Sequence, residues 1–403
     1  MKKAVRATIP DESRFISFRE HPKFCNSMPP FEYDDATYTV LRKAKACIDE
    51  PGYKYAWDSF KKNVNAYEFI HTTSSKNRFG ENVAFHMPLS RSYFKMVEIV
   101  KDFDLLFDKD DSSLTSFHLA EGPGGFIEAV CELRKCNKWD KIYGITLASS
   151  SKDVPGWRKS TYFMSRHPEV TLLWGRDGTG NIYSPDNLEH ARNRMGGNVA
   201  DIVTADGGFD FSIDFNHQEI VAVRLLLSQL YGCLITIKPG GDFVLKIFDS
   251  YHLITVEILW ILSCLCKEIY FVKPLTSRSA NSERYVIAKS FINMRSSGAK
   301  GVLDYIRTIL LNWKSDKKYL SSILNEDSIP SPFLDMVKEY NQYCSNNQYQ
   351  AIFQTLKLIK NKKIASTCSY YDQIRHAIRW CRKYKVKIRN EFAQKLHASS
   401  DSK

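Results

Sequence analysis

Four places in this chain carry side chains whose type and setting suit chemistry. Glu121-Gly122-Pro123-Gly124-Gly125-Phe126 closes a β-rich run and opens a helical one. Glycines at such a turn let a ligand approach the backbone, and a helix start offers unpaired N–H groups. A tight turn without a ligand has the same spacing. The motif lacks the full G-x-G-x-x-G pattern, and no acid closes the next run, Gly144-Ile145-Thr146-Leu147. A nicotinamide dinucleotide therefore fits poorly, and a nucleoside-bearing cofactor without a pyrophosphate fits better. Thr204-Ala205-Asp206-Gly207-Gly208 puts an acid at a strand end, where it serves either a ligand crevice or a turn. Lys246 stands alone in the apolar run from Phe243 to Phe248. It either snorkels from the strand end or is desolvated near other cations until its neutral amine can take a proton. Glu283 heads the run Glu283-Arg284-Tyr285-Val286, as a further functional carboxylate or as a solvated edge charge.

For these residues to meet, the runs that carry them must lie side by side in one sheet. Seven β-rich runs are predicted: Ser116 to Glu121, Lys141 to Leu147, Val170 to Trp174, Ala200 to Asp206, Asp242 to Phe248, Glu268 to Val272 and Glu283 to Lys289. Helical patterns fall between them at Gly124 to Arg134, Asn216 to Tyr231 and Tyr251 to Cys266. This alternation predicts an α/β architecture with a mostly parallel sheet and crossover helices. Only the polar loop Lys273 to Ser282 separates the last two runs, which predicts an antiparallel pair closing one edge. Ligands of open α/β sheets bind outside the carboxyl ends of the strands, so the glycine turn and Asp206 are expected in one crevice.

The 403 residues carry 57 Lys plus Arg against 45 Asp plus Glu, a formal charge of +12 that favours a polyanionic partner. Between Ala351 and Lys403 thirteen basic residues face three acids, while Ile374, Ile378 and Trp380 recur at helical spacing. Basic helices are predicted there, used for RNA contact or simply solvated. The ten cysteines form no paired C-x-x-C sets, so reduced thiols are expected and no metal is. No apolar stretch reaches the roughly 20 residues of a membrane span, and the start Met1-Lys2-Lys3-Ala4-Val5-Arg6 lacks a signal peptide's apolar run. Neither secretion nor a membrane partner is expected.

The ordered set Leu89-Ser90-Arg91-Ser92-Tyr93-Phe94-Lys95-Met96, Gly122-Pro123-Gly124-Gly125-Phe126, Ala205-Asp206-Gly207-Gly208, Leu245-Lys246 and Ser277-Arg278-Ser279-Ala280-Asn281-Ser282-Glu283-Arg284-Tyr285 resembles the FtsJ-like ribose 2′-O-methyltransferases. The last motif is similar to the branch that modifies the first transcribed nucleotides of capped messenger RNA. The resemblance spans about Ala66 to Phe291. It implies a Rossmann-like methyltransferase fold with a seven-stranded, mostly parallel sheet at 86–295. An N-terminal extension, 1–85, would pack on this core, and a basic helical region would follow at 296–403.

The resemblance further implies S-adenosyl-L-methionine as methyl donor and a Lys95, Asp206, Lys246, Glu283 tetrad. Gly122, Pro123, Gly124, Gly125 and Phe126 would hold the donor together with Asp206. Asn181 and Ile182 would reach its adenine, with Asn181 standing where relatives have an acid and Ser90 where they have an asparagine. Phe215, Asn216, His217 and Asn281 match positions that contact capped RNA. Within this scheme Lys246 is expected to be a neutral amine that takes the ribose proton. Lys95 lowers its proton affinity, Asp206 orients it and Glu283 fixes both lysines. The expected product is cap 1, made on capped mRNA or small RNA in the nucleus, or in a cytoplasmic viral factory were the chain viral. Other capping enzymes or RNA polymerase are the expected protein partners. The alternatives are a ribosomal or transfer RNA ribose methyltransferase and a non-catalytic RNA-binding capping subunit.

Overall fold

The computed structural model describes residues 4–7, 14–33, 35–72, 82–105, 112–149, 154–208, 216–294, 297–314, 318–361 and 367–394. Among them are ten strands: β1 (Ala4–Ala7), β2 (Phe18–Cys25), β3 (Thr115–Leu119), β4 (Lys141–Ile145), β5 (Val170–Leu173), β6 (Ala200–Ala205), β7 (Ile237–Phe248), β8 (Cys266–Val272), β9 (Glu283–Phe291) and β10 (Tyr319–Leu324). Eight form one sheet in the order β1-β8-β9-β7-β6-β3-β4-β5, and β2 pairs with β10 in a separate antiparallel ribbon.

β3 to β7 are mutually parallel, and β9 is antiparallel to both β7 and β8. Three expectations change. The sheet has eight strands, because β1 adds antiparallel to β8. The β8–β9 pair does not close the edge by itself, since β9 lies between β7 and β8 and β1 takes the outer place. The predicted helix from Asn216 to Tyr231 is two pieces, Gln218–Val221 and Val223–Thr236.

The period of two along each strand divides the core. Phe243, Leu245 and Ile247 of β7 join Val286 and Ala288 of β9 on one face, under the helices Pro185–Arg194, Val223–Thr236, Leu253–Cys264 and Ser297–Asn312. Val244, Tyr285 and Ile287 point to the other face, where Ser92–Phe103, Gly125–Leu133 and Thr367–Lys383 cover them. Each fully buried side chain of this kind contributes about 1.5–3 kcal/mol. A third cluster joins Tyr38, Leu41 and Trp57 of the helices Ala36–Ile48 and Pro51–Val64 to Ile352 of the long helix Ser331–Lys360.

In the helix Thr367–Lys383, Ile374, Ala377, Ile378, Trp380 and Cys381 are buried while Arg375, Arg379, Arg382 and Lys383 are exposed. Trp380 Nε1 donates to Glu98 Oε2 at 3.1 Å, and Lys101 donates to the Tyr384 carbonyl. The helix is therefore core on one side and cationic on the other. No helix among the described residues is long and apolar enough to cross a membrane.

Candidate active site at the carboxyl ends of the strands

Register sets the site. Leu173, Ile145, Leu119, Ala205, Leu245 and Val286 form one row across β5, β4, β3, β6, β7 and β9. The residues immediately beyond it are Ala120 and Glu121 after β3, Asp206 after β6, Lys246 on β7 and Tyr285 on antiparallel β9. Chain order reverses between β3 and β6, so a crevice opens there. Lys246 pairs with Tyr285 and Phe248 with Glu283, so Lys246, Tyr285 and Glu283 all lie on the face covered by the helix carrying Lys95.

The four tetrad positions are brought together. Lys246 Nζ donates to the Asp206 carbonyl at 2.6 Å and lies 3.2 Å from Asp206 Oδ1. Lys95 Nζ donates to Glu283 Oε2 at 2.7 Å, while Ser277 Oγ donates to Glu283 Oε1 at 2.8 Å. The Lys95 ammonium also lies 5.9 Å from the Tyr285 ring centroid. Burial alone would raise the Glu283 carboxyl, but Lys95 and Lys246 outweigh it and hold it at about 2.

The expected electrostatics of Lys246 are corrected. Burial does push its proton affinity down, but Asp206, Glu283 and Glu121 push it up by more, so in the ligand-free chain it lies above the usual lysine value. Lys246 is therefore an ammonium here. The physical reason is proximity: Asp206 touches it directly, whereas the positive charge of Lys95 is offset by its own bond to Glu283. Glu121, buried next to Asp206, is pushed well above the carboxylate range, first by burial and then by that neighbouring acid. Thr204 Oγ1 donates to it at 3.2 Å, and His118, kept neutral by burial, bonds Thr204 and Ser116 behind it.

At the glycine turn Gly124 takes φ 103°, a left-handed value that glycine alone adopts cheaply, and its amide donates to the Glu121 carbonyl. Gly122 and Gly125 meet protein rather than open space. A Cβ on Gly122 would lie 2.8 Å from the Pro155–Gly156 backbone, and one on Gly125 would strike Ser90 and Ser92 Oγ. The turn is thus clamped from both sides, with the Pro123 carbonyl held by Ser160 and Phe126 packed in the core. The segment carrying Asn181 and Ile182 packs against the end of β4, where Ala148 donates to the Thr179 carbonyl at 2.7 Å. Asn181 Oδ1 accepts from the Tyr183 amide at 3.0 Å, which leaves its second lone pair for another donor.

Phe215 lies outside the described residues. Asn216 and His217 precede the short helix Gln218–Val221, with His217 at its N-cap position. Asn281 lines a pocket of about 120 Å³ beside the crevice, together with Lys45, Trp57, Lys61, Gln218 and Arg278. Sequence reasoning assigned no role to Tyr285, whose hydroxyl donates to Asp206 Oδ1 at 2.7 Å, although the period of two from Glu283 marks its face. It also missed Lys273. That amine donates to the Asn281 carbonyl and Oδ1, both at 2.8 Å, and to the Glu283 carbonyl at 2.7 Å, and burial lowers it to about 8.

Residues 88–291 match the family described as FtsJ-like methyltransferase. Over 280 residues the chain is 31% identical to Cap-specific mRNA (nucleoside-2'-O-)-methyltransferase 1 of Xenopus laevis, covering 63% of this chain and 31% of that protein. The Mus musculus protein of the same name is 31% identical over 308 residues, covering 71% and 34%. Cap-specific mRNA (nucleoside-2'-O-)-methyltransferase 1A of Caenorhabditis briggsae is 26% identical over 396 residues, covering 87% and 44%. The chain thus spans about a third of the length of the first two relatives.

Proposed function

The chain belongs to the FtsJ-like methyltransferase family, and from that membership we propose that it methylates the ribose 2′-hydroxyl of the first transcribed nucleotide of capped messenger RNA, with S-adenosyl-L-methionine as donor. The observation that carries the chemistry is the Lys246–Asp206 contact beside the Lys95–Glu283 pair at the mouth of the glycine crevice. The names of the relatives support the capped substrate.

The residues at the crevice fit such a donor. Gly208 leaves space over the amine, where a Cβ would come within 3.2 Å of Lys246 Nζ. Beside Gly124, the Trp157 ring keeps a buried indole N–H that has no partner among the described residues. Gly122 to Phe126, Asn181 and Ile182 would hold the donor. When bound, it supplies a methyl group on a cationic sulfur.

The chain's own residues then have separable tasks. Asp206, anchored by Tyr285, aims Lys246 Nζ at the hydroxyl, and Glu283 keeps Lys95 beside it. A positive charge arriving next to Asp206 engages the carboxylate that now raises Lys246, so the amine's proton affinity falls in the assembled site and Nζ can accept the hydroxyl proton. Asn216, His217 and Asn281 would face the RNA, with the cap in the pocket beside Asn281. The exposed cations of Thr367–Lys383 would follow the strand beyond it.

Two transcripts that differ only in a 7-methylguanosine cap, incubated with methyl-labelled donor and digested to nucleosides, test this reading. Label on the 2′-oxygen of the first nucleotide of the capped transcript alone is expected. Equal labelling of both transcripts would instead support a ribosomal or transfer RNA substrate.

A further inference from the structure

A cluster of ligating side chains lies outside the crevice, at the far end of the helix that begins at the glycine turn. Cys131, His167 and Glu169 offer a thiol, an imidazole nitrogen and a carboxylate oxygen, all within 4.8 Å of one another. Cys131 is fully buried near the end of Gly125–Leu133, and His167 and Glu169 sit in the turn entering β5. His167 Nδ1 and Glu169 Oε1 are 2.7 Å apart, with side chains 16% and 3% exposed. Phe163 stacks on the imidazole with centroids 4.1 Å apart, which fixes the ring's plane.

Cys136, exposed and outside this group of three, follows Cys131 one turn on. The Cys136 amide bonds the Cys131 carbonyl at 2.7 Å, and Lys135 and Cys136 both take left-handed φ, 54° and 52°. Consecutive non-glycine residues there are uncommon, and they fold the chain back toward Cys131.

We propose that Cys131, Cys136, His167 and Glu169 bind one zinc ion, a structural centre that ties the donor-site helix to β5. Sulfur, nitrogen and carboxylate oxygen are the ligands zinc takes, and four protein donors make a closed site without chemistry of its own. The exposed Cys136 side chain turns inward on binding, and both thiols give up their protons to solvent. The simpler arrangement, a His–Glu pair beside an inert thiol, binds no metal.

The test uses the full chain, kept reduced and stripped by chelator, titrated with Co²⁺ and then Zn²⁺. One equivalent of cobalt is expected, with thiolate-to-metal absorption in the near ultraviolet that zinc abolishes. His167→Gln, at a partly exposed position, should weaken binding roughly 100-fold, and Cys136→Ser roughly tenfold or more. Cys131→Ser should lower the absorption to the share of the Cys136 thiolate; if that buried variant fails to fold by circular dichroism, His167→Gln and Cys136→Ser decide the matter. Absence of the thiolate band from the wild type, or affinity unchanged in His167→Gln, would overturn the site. Unchanged affinity in Cys136→Ser would overturn the four-ligand assignment.

Discussion

Tyr285 donates a hydrogen bond to Oδ1 of Asp206, the carboxylate oxygen that lies 3.2 Å from the Lys246 ammonium. The carboxylate is thereby fixed from β9 while it holds an amine on β7, and the orientation of the proposed base depends on a phenol with no acid–base task of its own.

Tyr285→Phe is therefore expected to preserve the fold and lower kcat by roughly tenfold or more. A hydrogen bond to a charged group is worth about 1.5–3 kcal/mol, and a pivoting carboxylate misaims Lys246. Single-turnover methylation, with near-ultraviolet circular dichroism as the fold control, reads it. An unchanged kcat would remove Tyr285 from the positioning scheme.

Lys246→Arg retains positive charge but cannot surrender a proton near neutral pH. Loss of general-base action costs about 10²–10⁴ in rate, so the variant should fall in that range while donor affinity by calorimetry stays near wild type. Substantial turnover by Lys246→Arg would make the residue a charge rather than a base. In the wild type, kcat/KM should climb with pH, since the reactive form of Lys246 is the deprotonated one and the free chain holds it protonated.

Glu68 anchors the loop that carries Asn281. Arg278 grips its two oxygens at 3.0 and 2.8 Å, and Arg91 lies 3.7 Å away. Burial would raise this carboxyl, but the Arg278 bonds and the charges of Arg91 and Arg278 hold it at about 2. A carboxyl lowered on folding gives stability that is complete above its unfolded value near 4.3 and is lost as pH falls through 2. Glu68→Gln should thus cost on the order of 3 kcal/mol at pH 7, with the gap to wild type closing between about pH 5 and pH 2. Urea unfolding across that range measures it.

Replacing exposed Arg375, Arg379 and Arg382 by Gln should leave the melting temperature nearly unchanged. RNA affinity should weaken, and the slope of log K against log salt should shallow by about 0.7 for each phosphate that is no longer neutralised. Trp380→Ala, on the buried side of the same helix, should instead destabilise by about 3–5 kcal/mol, because it opens a cavity and removes one of the hydrogen bonds to Glu98. Equal salt slopes before and after the triple substitution would make the cationic side a solvated face.

Strands β3 to β9 were legible because each is an apolar or alternating run bounded by turn residues. The start of β7 was not. Ile237-Lys238-Pro239-Gly240 looks like a turn, yet the strand passes through it with a register shift against β6, Gly240 taking φ 76°. β1, four residues long, carries too little pattern to announce itself, and its partner β8 lies more than 250 residues away. Within the site, residue types and order located Lys246 and Asp206, but not the distances between charges. That Asp206 touches the amine while Lys95 is taken up by Glu283 is a matter of ångströms, and it reverses the sign of the shift. His167-Pro168-Glu169 and Cys131 carry no joint signal along the chain, since they meet only when β5 lies beside β4.

The contact between Glu98 and Trp380 links positions 282 apart. On the ribosome, the helix that bears Lys95 emerges long before the segment that carries Trp380, and the side of Phe94 that meets that indole waits uncovered until then. Closure over so long a separation is slow, so this part of the nascent chain is exposed to wrong association until the helix Thr367–Lys383 docks.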